Sequence, residues 1–300
     1  MVLEKGREQQ DKIIMGVAEE IGHDHNGKPL FRYDKDKHEF TDEVWDDTKV
    51  IREELRDPAN KKNKNVFVVD ASEIRNSVYV PRYYWNRRID ELREEAEKHG
   101  MEFLQIKDLI DEGIIADFPG HGSPSGKYKG KGAIPYIRVA DIVNWSMYRN
   151  PTALIPEHVY LEKKANGVDL QAKDVLFVRR GSYRIGSVAL VSEFDTKVLL
   201  TREIHVFRVL NEANEYGIDA FYLLYLFSHR LTQKQLYNKV LIDTTLPNIG
   251  RRWEELYLPV AKDPKEREKI RQKIRSAFIK KWEAQKEITG IADEFGDLTT

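Results

Sequence analysis

Hydrophobic residues in the first third of the chain recur at spacings that predict three helices and one strand. Near-helical spacing of apolar positions predicts a helix over residues 7–22, which Gly22 would end. A second short helix is predicted over residues 43–56, and a strongly charged one over residues 89–99. Between them, the β-branched run 66–70 predicts a strand.

Two short apolar runs in the middle of the chain each lead into arginine. Residues 134–139 read IPYIRV and contain Arg138, and residues 175–179 read VLFVR and end in Arg179. Short runs of β-branched and aromatic residues are typical of buried strands. We therefore predict two strands that bring cations to the mouth of a loop.

A loop rich in hydrogen-bond donors follows the second of these strands. It starts after Arg179 and Arg180 and is bracketed by Gly181 and Gly186. Between the two glycines lie a hydroxyl, an aromatic ring and a further arginine: Ser182, Tyr183 and Arg184. Forked guanidinium groups bind phosphate oxygens and base edges. The sequence therefore predicts that this loop holds an anionic ligand.

The segment before the first central strand predicts an irregular, cationic loop. Residues 118–132 contain five Gly, two Pro and two Ser, which together exclude regular structure. Three lysines alternate with other residues along it: Lys127, Lys129 and Lys131. The pattern matches no nucleotide-binding fingerprint, so the loop alone identifies no ligand.

The last part of the chain predicts a strand and three helices. Residues 203–209 alternate, so one strand face should be buried and the other, with His205, exposed to water. Residues 220–230 are apolar nearly all round and predict a core helix, followed by a polar helix over residues 231–240. A long helix is predicted from Asp263 to about residue 288.

The long helix carries an apolar stripe and is expected to end at Gly290. The stripe consists of Ile270, Ile274, Ala277, Phe278, Trp282 and Ile288. Such a stripe either packs on the helix's own domain or pairs with another helix. The residues leave both possibilities open.

Composition indicates a globular protein with an uneven charge distribution. Hydrophobic residues make up 41% and charged residues 33%, and the absence of cysteine excludes disulfides. The formal net charge of −1 hides 20 Lys+Arg against 27 Asp+Glu in residues 1–114 and 19 against 15 in residues 115–260. This split fits one face toward nucleic acid and another toward protein, although an ordinary surface varies as much. With neither a membrane-length apolar run nor a signal-peptide core, we expect a cytoplasmic protein.

Three segments, in order and spacing, resemble the target recognition domain of type I restriction-modification specificity (S) subunits. The family patterns are GIPYIRVxDI, GDILFxRRGSxxGxxALV and TLPNI followed by LPVP. In this chain they correspond to residues 132–142, 173–191 and 245–260. The resemblance covers roughly residues 103–290. The family has two such domains separated by two long helices, whereas this chain is long enough for only one domain and one helix.

The resemblance implies an α+β fold in three parts. A small N-terminal α/β segment would occupy residues 1–100 and a mixed-sheet recognition domain residues 101–262. A long helix over residues 263–296 would pair with a partner or with a second copy. The expected function is that of a non-catalytic DNA-binding subunit of a restriction-modification system.

The resemblance also assigns roles to individual cations. Lys127, Lys129, Lys131 and Arg202 would hold the DNA backbone, while Arg138, Arg179, Arg180 and Arg184 would reach base edges or groove phosphates. Ser182, Tyr183 and Asn248 would lie in DNA-facing loops, with Arg251 and Arg252 as further phosphate contacts. Two of these arginines could equally cap core carbonyls, and Arg138 could be structural.

The N-terminal stretch from Ile21 to Asp47 resembles the segment after the catalytic domain of N6-adenine DNA methyltransferases. The catalytic tetrapeptide of that class, Asn or Asp followed by Pro-Pro and an aromatic, is absent from the chain. We therefore expect a separate methyltransferase (M) subunit to bind S-adenosylmethionine, and none to bind here. The resemblance implies two binding partners, double-stranded DNA and that methyltransferase subunit. A restriction subunit or a second copy of the chain would be additional partners.

Other functions remain as alternatives. A stand-alone nuclease would need acids such as Asp141, Glu193 and Asp195, but no spacing groups them with a lysine. The cluster of His23, Asp24 and His25 belongs to ordinary turn chemistry, so no metal site is expected. A protein-interaction module, or the detached recognition part of a fused enzyme, would also fit the sequence.

Overall fold

The computed structural model divides the chain into two compact units, Met1–Asp90 and Glu91–Thr300. It describes residues 11–74, 78–165, 167–240 and 247–295. The division proposed from the sequence, into residues 1–100, 101–262 and 263–296, stays a prediction.

The first unit is built on two small antiparallel sheets. Strand β1 pairs with β4, and β2 pairs with β3. Its elements are β1 (Lys12–Gly16), β2 (Phe31–Asp34), β3 (Glu39–Val44), α1 (Thr48–Glu54) and β4 (Val66–Asp70).

The helix predicted over residues 7–22 is wrong where the structure describes it. Residues 12–16 form strand β1, in which Ile13 lies opposite Val69 and Met15 packs in the core with Tyr84. In a short apolar run, the spacing of hydrophobic positions does not distinguish a helix from a strand. The β-branched residues of this run favour a strand that pairs with β4. The predicted strand 66–70 is confirmed.

The second unit contains most of the regular structure. Helix α2 (Asn86–Lys98) leads into it from the first unit. Its strands are β5 (Met101–Gln105), β6 (Ile115–Pro119), β7 (Ile134–Ile137), β8 (Ile142–Val143), β9 (Ser146–Met147), β10 (Leu154–Ile155), β11 (Val175–Val178), β12 (Val188–Leu190), β13 (Leu199–Leu200), β14 (Ile204–Val209) and β15 (Tyr257–Ala261). Its helices are α3 (Ile106–Asp111), α4 (Glu157–Lys164), α5 (Ala220–Ser228), α6 (Arg230–Lys239) and α7 (Pro264–Phe295).

A four-stranded antiparallel sheet, in the order β12-β11-β14-β6, forms the centre of this unit. Both faces of the sheet are covered. Phe177 and Phe207 pack into a large cluster with α5, whereas Leu176 and Val206 pack into a second cluster on the opposite face. Alternating side chains therefore enter two different cores.

The prediction that one face of residues 203–209 is exposed to water is wrong. His205 is buried, with 6% of its surface exposed, because β14 lies between β11 and β6 and apolar side chains cover both faces. Alternation along a strand identifies a wet face only where one side of the sheet is open.

A second, three-stranded sheet has the order β10-β7-β13. Strand β13 runs parallel to β7, with Leu200 opposite Ile137, and β10 is antiparallel to β7. These strands deliver the residues that follow them to the edge described below.

The long C-terminal helix α7 packs on the core of the second unit through residues between Ile270 and Trp282. Ile274 and Phe278 are buried in the large cluster, with Ile270 and Trp282 packed against it. Gly290 does not end the helix, which continues to Phe295, whereas Ile288 is 67% exposed. The predicted α+β class with mixed small sheets and a long C-terminal helix is confirmed. Among the described helices, none has the length and apolar character to cross a membrane.

Candidate nucleic-acid interface

Three strand ends converge at one edge of the second unit and carry arginines to it. Val178, at the end of β11, lies opposite Ile204, at the start of β14. The next amide, that of Arg179, donates to the carbonyl of Glu203 at 2.9 Å, and the Thr201 amide donates to the carbonyl of Ile137 at 3.1 Å. Arg138, Arg179 and Arg202, which follow β7, β11 and β13, are therefore neighbours along this edge.

Arg179 is the most enclosed of these cations. Its Nε donates to the carbonyl of Arg202 at 3.3 Å. Burial lowers the pKa of Arg179, the carboxylate of Glu203 opposes that shift, and the like charges of Arg180 and Arg202 add to it. Because burial and two neighbouring cations disfavour the charged form of Arg179, an anion bound here would stabilise the site.

Arg138 is held by an acid within the protein. Its Nε and Nη2 donate to Asp141 at 2.9 and 3.1 Å, and its backbone amide donates to the same carboxylate at 2.8 Å. Hydrogen bonding to Asp141 raises the pKa of Arg138. These contacts are consistent with the structural role that the sequence left open for Arg138.

Arg180, Arg184 and Arg202 have no carboxylate partner within the part of the chain that the structure describes. The Nε atoms of Arg180 and Arg184 are buried without an acceptor among those residues. Guanidinium donors left without acceptors are costly unless a ligand or water satisfies them. These arginines are the strongest candidates for binding an external anion.

The loop after β11 is anchored at both ends. The Gly181 amide donates to the carbonyl of Pro247 at 3.0 Å, and the Gly186 amide donates to the carbonyl of Val178 at 2.9 Å. Between them Tyr183 is 86% exposed, and the guanidinium of Arg184 lies 5.3 Å from the centre of its ring. The backbone of Ser182 lies in a short 3-10 turn, while its side chain lies outside the described residues.

The loop that contains Asn248 lies beside the arginine loop. Asn248 forms an isolated antiparallel bridge with Arg180, and its side-chain oxygen accepts from the Gly250 amide at 2.7 Å. Arg252 donates to the carbonyls of Lys239 and Asn248 at 2.9 and 3.0 Å. Arg252 therefore ties the loop at Asn248 to the end of α6 at Lys239. Residues 245 and 246 of the predicted motif lie outside the described residues.

Arg251 is the exposed cation of the same loop. Its side chain is 83% exposed and forms an ion pair with Glu254 at 2.5 Å. Hydrogen bonding to Glu254 raises the pKa of Arg251. An anion that binds Arg251 would have to share it with this carboxylate.

The glycine-rich loop is fixed to β13 at the same edge. The Gly120 amide donates to the carbonyl of Ile204 at 3.1 Å, and the Gly122 amide to that of Leu200 at 3.0 Å. A Cβ atom at Gly120 would lie 2.2 Å from the carbonyl oxygen of Thr201, so only glycine fits there. His121 completes the attachment, because its Nδ1 accepts from the Leu200 amide at 2.9 Å.

The three lysines of this loop lie on its exposed part. The Lys127 and Lys129 ammonium groups lie 4.7 Å and 5.9 Å from the ring centres of Tyr128 and Tyr136, and Lys131 is exposed. The Tyr136 hydroxyl donates to Ser123 Oγ at 3.0 Å. Ser123 in turn lies 3.4 Å from the Thr201 hydroxyl, which also bonds to Glu203. A continuous chain of contacts thus joins the lysine loop to the arginine edge.

Sequence reasoning named Asp141 only as a candidate nuclease acid and missed the partners that the acids near this edge have in the structure. Asp141 pairs with Arg138, Glu203 lies beside Arg179, and Asp117 bonds to the buried His205 at 2.9 Å. The spacing of Asp141, three residues after Arg138, was a usable signal. No signal pointed to Asp117, because the pairing of β6 with β14 that brings it to His205 is not encoded locally.

Solved structures similar to this chain include two specificity subunits. The S subunit of the type I restriction-modification system from M. genitalium is 14% identical, with a TM-score of 0.42, over 66% of this chain and 44% of that chain. The HsdS subunit from Thermoanaerobacter tengcongensis is 15% identical, with a TM-score of 0.36, over 71% and 50%. A chain from a structure of type I R-M complex assembly and conformational transition is 13% identical, with a TM-score of 0.38, over 79% and 59%.

This chain therefore spans between 44% and 59% of the length of these three chains. No protein-family model matches the sequence, and no curated protein matches it significantly.

Proposed function

We propose that the second unit binds double-stranded DNA through the arginine edge and acts as a non-catalytic specificity subunit. The observation that carries this proposal is the set of cations without acid partners among the described residues at the converging ends of β11 and β13. Arg180, Arg184 and Arg202 form this set, and Arg179 lies close to Arg180 and Arg202. DNA offers closely spaced phosphates that neutralise several guanidinium groups together.

The lysine loop would extend the contact along the DNA backbone. Lys127, Lys129 and Lys131 are exposed, and the loop that bears them is fixed to β13. Compact ammonium groups on a surface loop suit phosphate contacts, whereas forked guanidinium groups suit base edges. Arg138 and Arg252 would support the site from within, since both are engaged by atoms of the protein.

The binding claim is tested by fluorescence anisotropy on a mixed-sequence duplex at several salt concentrations. The test variant is Arg180→Ala/Arg202→Ala, because neither side chain leaves a carboxylate unpaired when it is removed. The matched control is Lys35→Ala/Lys61→Ala, which removes the same charge from exposed positions of the first unit. We expect the slope of log affinity against log salt to become shallower by about 1 to 2 in the test variant alone. Equal slopes in the wild type and the test variant would contradict the proposal.

The wider role is to direct a separate N6-adenine methyltransferase to its target site. It is supported by the order of the three motifs and by the absence of a catalytic tetrapeptide from the sequence. The test is methyl transfer to DNA with S-adenosylmethionine, measured for this chain, for a methyltransferase subunit and for both together. We expect methylation at a defined site only when both are present. Methylation by this chain alone would overturn the assignment, and a fused parent enzyme would be indicated if only a covalent fusion were active.

Two of the three acids considered for a stand-alone nuclease are occupied by other contacts. Asp141 pairs with Arg138, and Asp195 accepts from Arg149 at 2.7 Å and from Ser192 at 2.6 Å. Among the described residues, no group of three or more His, Cys, Asp or Glu is arranged to hold a metal ion. No observation on these residues favours a nuclease over the recognition role.

A further inference from the structure

Tyr183 is exposed to an unusual degree for an aromatic side chain. With 86% of its surface accessible, it exceeds the other exposed large hydrophobic side chains of the described residues, of which Phe40 is next at 71%. An aromatic ring left this open forgoes the free energy that its burial would contribute. The ring is therefore available to a ligand.

The backbone that presents Tyr183 is closed and packed at its base. The Gly186 carbonyl accepts from Gln233 at 2.9 Å, and a Cβ atom at Gly186 would lie 2.4 Å from the Leu236 side chain. At the other end, a Cβ atom at Gly181 would lie 3.2 Å from Val139. Both glycines have positive φ angles, of 119° and 89°, which other residues rarely adopt. The loop is thus a short, fixed projection.

One face of the Tyr183 ring already has a neighbour. The Arg184 guanidinium lies 5.3 Å from the ring centre, within the range of a cation–π contact. This contact favours one orientation of the ring, which lowers the entropy lost when a flat partner stacks on it. A nucleobase has the flat π-face that such a surface binds.

We infer that Tyr183 stacks on a base at a locally opened step of the bound duplex, with Arg184 backing the ring. This inference rests on the proposed function, because the arginine edge has to bring DNA to the loop. Pyrimidine–purine steps open most easily, so Tyr183 would favour TA and CA steps over AA steps. Stacking at such a step supplies sequence preference without a hydrogen bond to a base edge.

The test uses duplexes that carry 2-aminopurine in a single TA, CA or AA step, titrated with the full chain at low salt. We expect a change in 2-aminopurine emission at the pyrimidine–purine steps with the wild type and with Tyr183→Phe. Tyr183→Ser should lose this change and bind about tenfold more weakly, while its salt dependence stays that of the wild type. Tyr79→Ser, at another exposed tyrosine, is the matched control.

The outcomes separate the inference from the proposed function. If Tyr183→Ser binds within twofold of the wild type with the same emission at each step, the stacking role is overturned and DNA binding stands. If the wild type binds no duplex at low salt, both fail. If Tyr183→Ser keeps its DNA affinity but no longer co-purifies with a methyltransferase subunit, the ring contacts protein and the inference is wrong.

Discussion

The guanidinium of Arg138 donates two hydrogen bonds to the carboxylate of Asp141, three residues further along, and that carboxylate is almost fully buried. Asp141 is 3% exposed, so removing its partner leaves a buried charge with fewer donors. We expect Arg138→Ala to lower the free energy of unfolding by about 1 to 2 kcal/mol, since the half-exposed guanidinium is partly screened by water. Urea denaturation measures this. Arg202→Ala, which removes an exposed arginine, is the control and should change stability by less than about 0.5 kcal/mol.

Arg251 and Arg252 are adjacent in sequence, but substitution of Arg252 should cost far more stability than substitution of Arg251. Arg252→Ala removes donors to the carbonyls of Lys239 and Asn248, and we expect a loss of about 1 to 2 kcal/mol in unfolding free energy. Arg251→Ala affects an exposed ion pair and should leave stability within about 0.5 kcal/mol of the wild type. Thermal and urea unfolding of the two variants, side by side, measure the difference. Equal losses in both would contradict the structural role of Arg252.

Gly120 should tolerate no side chain. In Gly120→Ala the new Cβ atom would approach the carbonyl oxygens of Thr201 and Ile204 to 2.2 and 2.7 Å, so the backbone must move. We expect a loss of about 1 to 3 kcal/mol, measured by chemical denaturation, together with weaker DNA binding. Gly126→Ala, where a Cβ atom meets nothing within 4 Å, is the matched control. Similar stability of the two variants would show that the loop is not held against β13 as described.

Buried histidines should make the protein less stable in mild acid. Burial lowers the pKa of His121, whose Nδ1 accepts from the Leu200 amide, and also lowers the pKa values of His205 and His229. The unfolded chain then binds protons more readily than the folded chain. The contribution of these histidines to the free energy of unfolding is therefore complete above the usual pKa near 6.5, and it decreases as the pH drops below that value. The slope reaches at most about 1.4 kcal/mol per pH unit for each histidine.

Urea unfolding between pH 7.5 and pH 5 checks this expectation. His121→Asn should show a shallower decline than the wild type, whereas His38→Ala, at an exposed turn, should keep the full decline. A wild-type free energy of unfolding that does not change over this range would contradict the lowered pKa values of the three histidines.

The sequence predicted the strands of the arginine edge well, but it predicted a helix where the first unit has strand β1. Of the predicted runs 134–139 and 175–179, residues 134–137 and 175–178 are strands, because each is a compact β-branched and aromatic run buried in a sheet interior. Residues 12–16 share that character, but the surrounding apolar positions also match a helical spacing. The choice is made by the distant strand β4, which no local pattern reveals.

The sequence predicted which cations lie at the site, but it did not predict which of them form ion pairs or hydrogen bonds within the protein. Glycine spacing located the loop at residues 181–186, and the run of arginines located its charge. Which arginine is engaged depends on where Asp141, Glu203 and Glu254 lie, and on the carbonyls that Arg252 reaches. These contacts arise from strand order and turn geometry, so residue types alone do not separate a supporting arginine from an available one.

The central sheet is buried on both faces, while the candidate ligand-binding residues lie beyond the ends of its strands. Side chains that determine folding and side chains that would meet DNA therefore occupy different positions in the chain. Substitutions at exposed loop positions such as Tyr183 or Lys127 can accumulate with little loss of folding free energy. Under the proposed function, descendants of such a chain can consequently diverge in the DNA sequence they prefer while inheriting one unchanged scaffold.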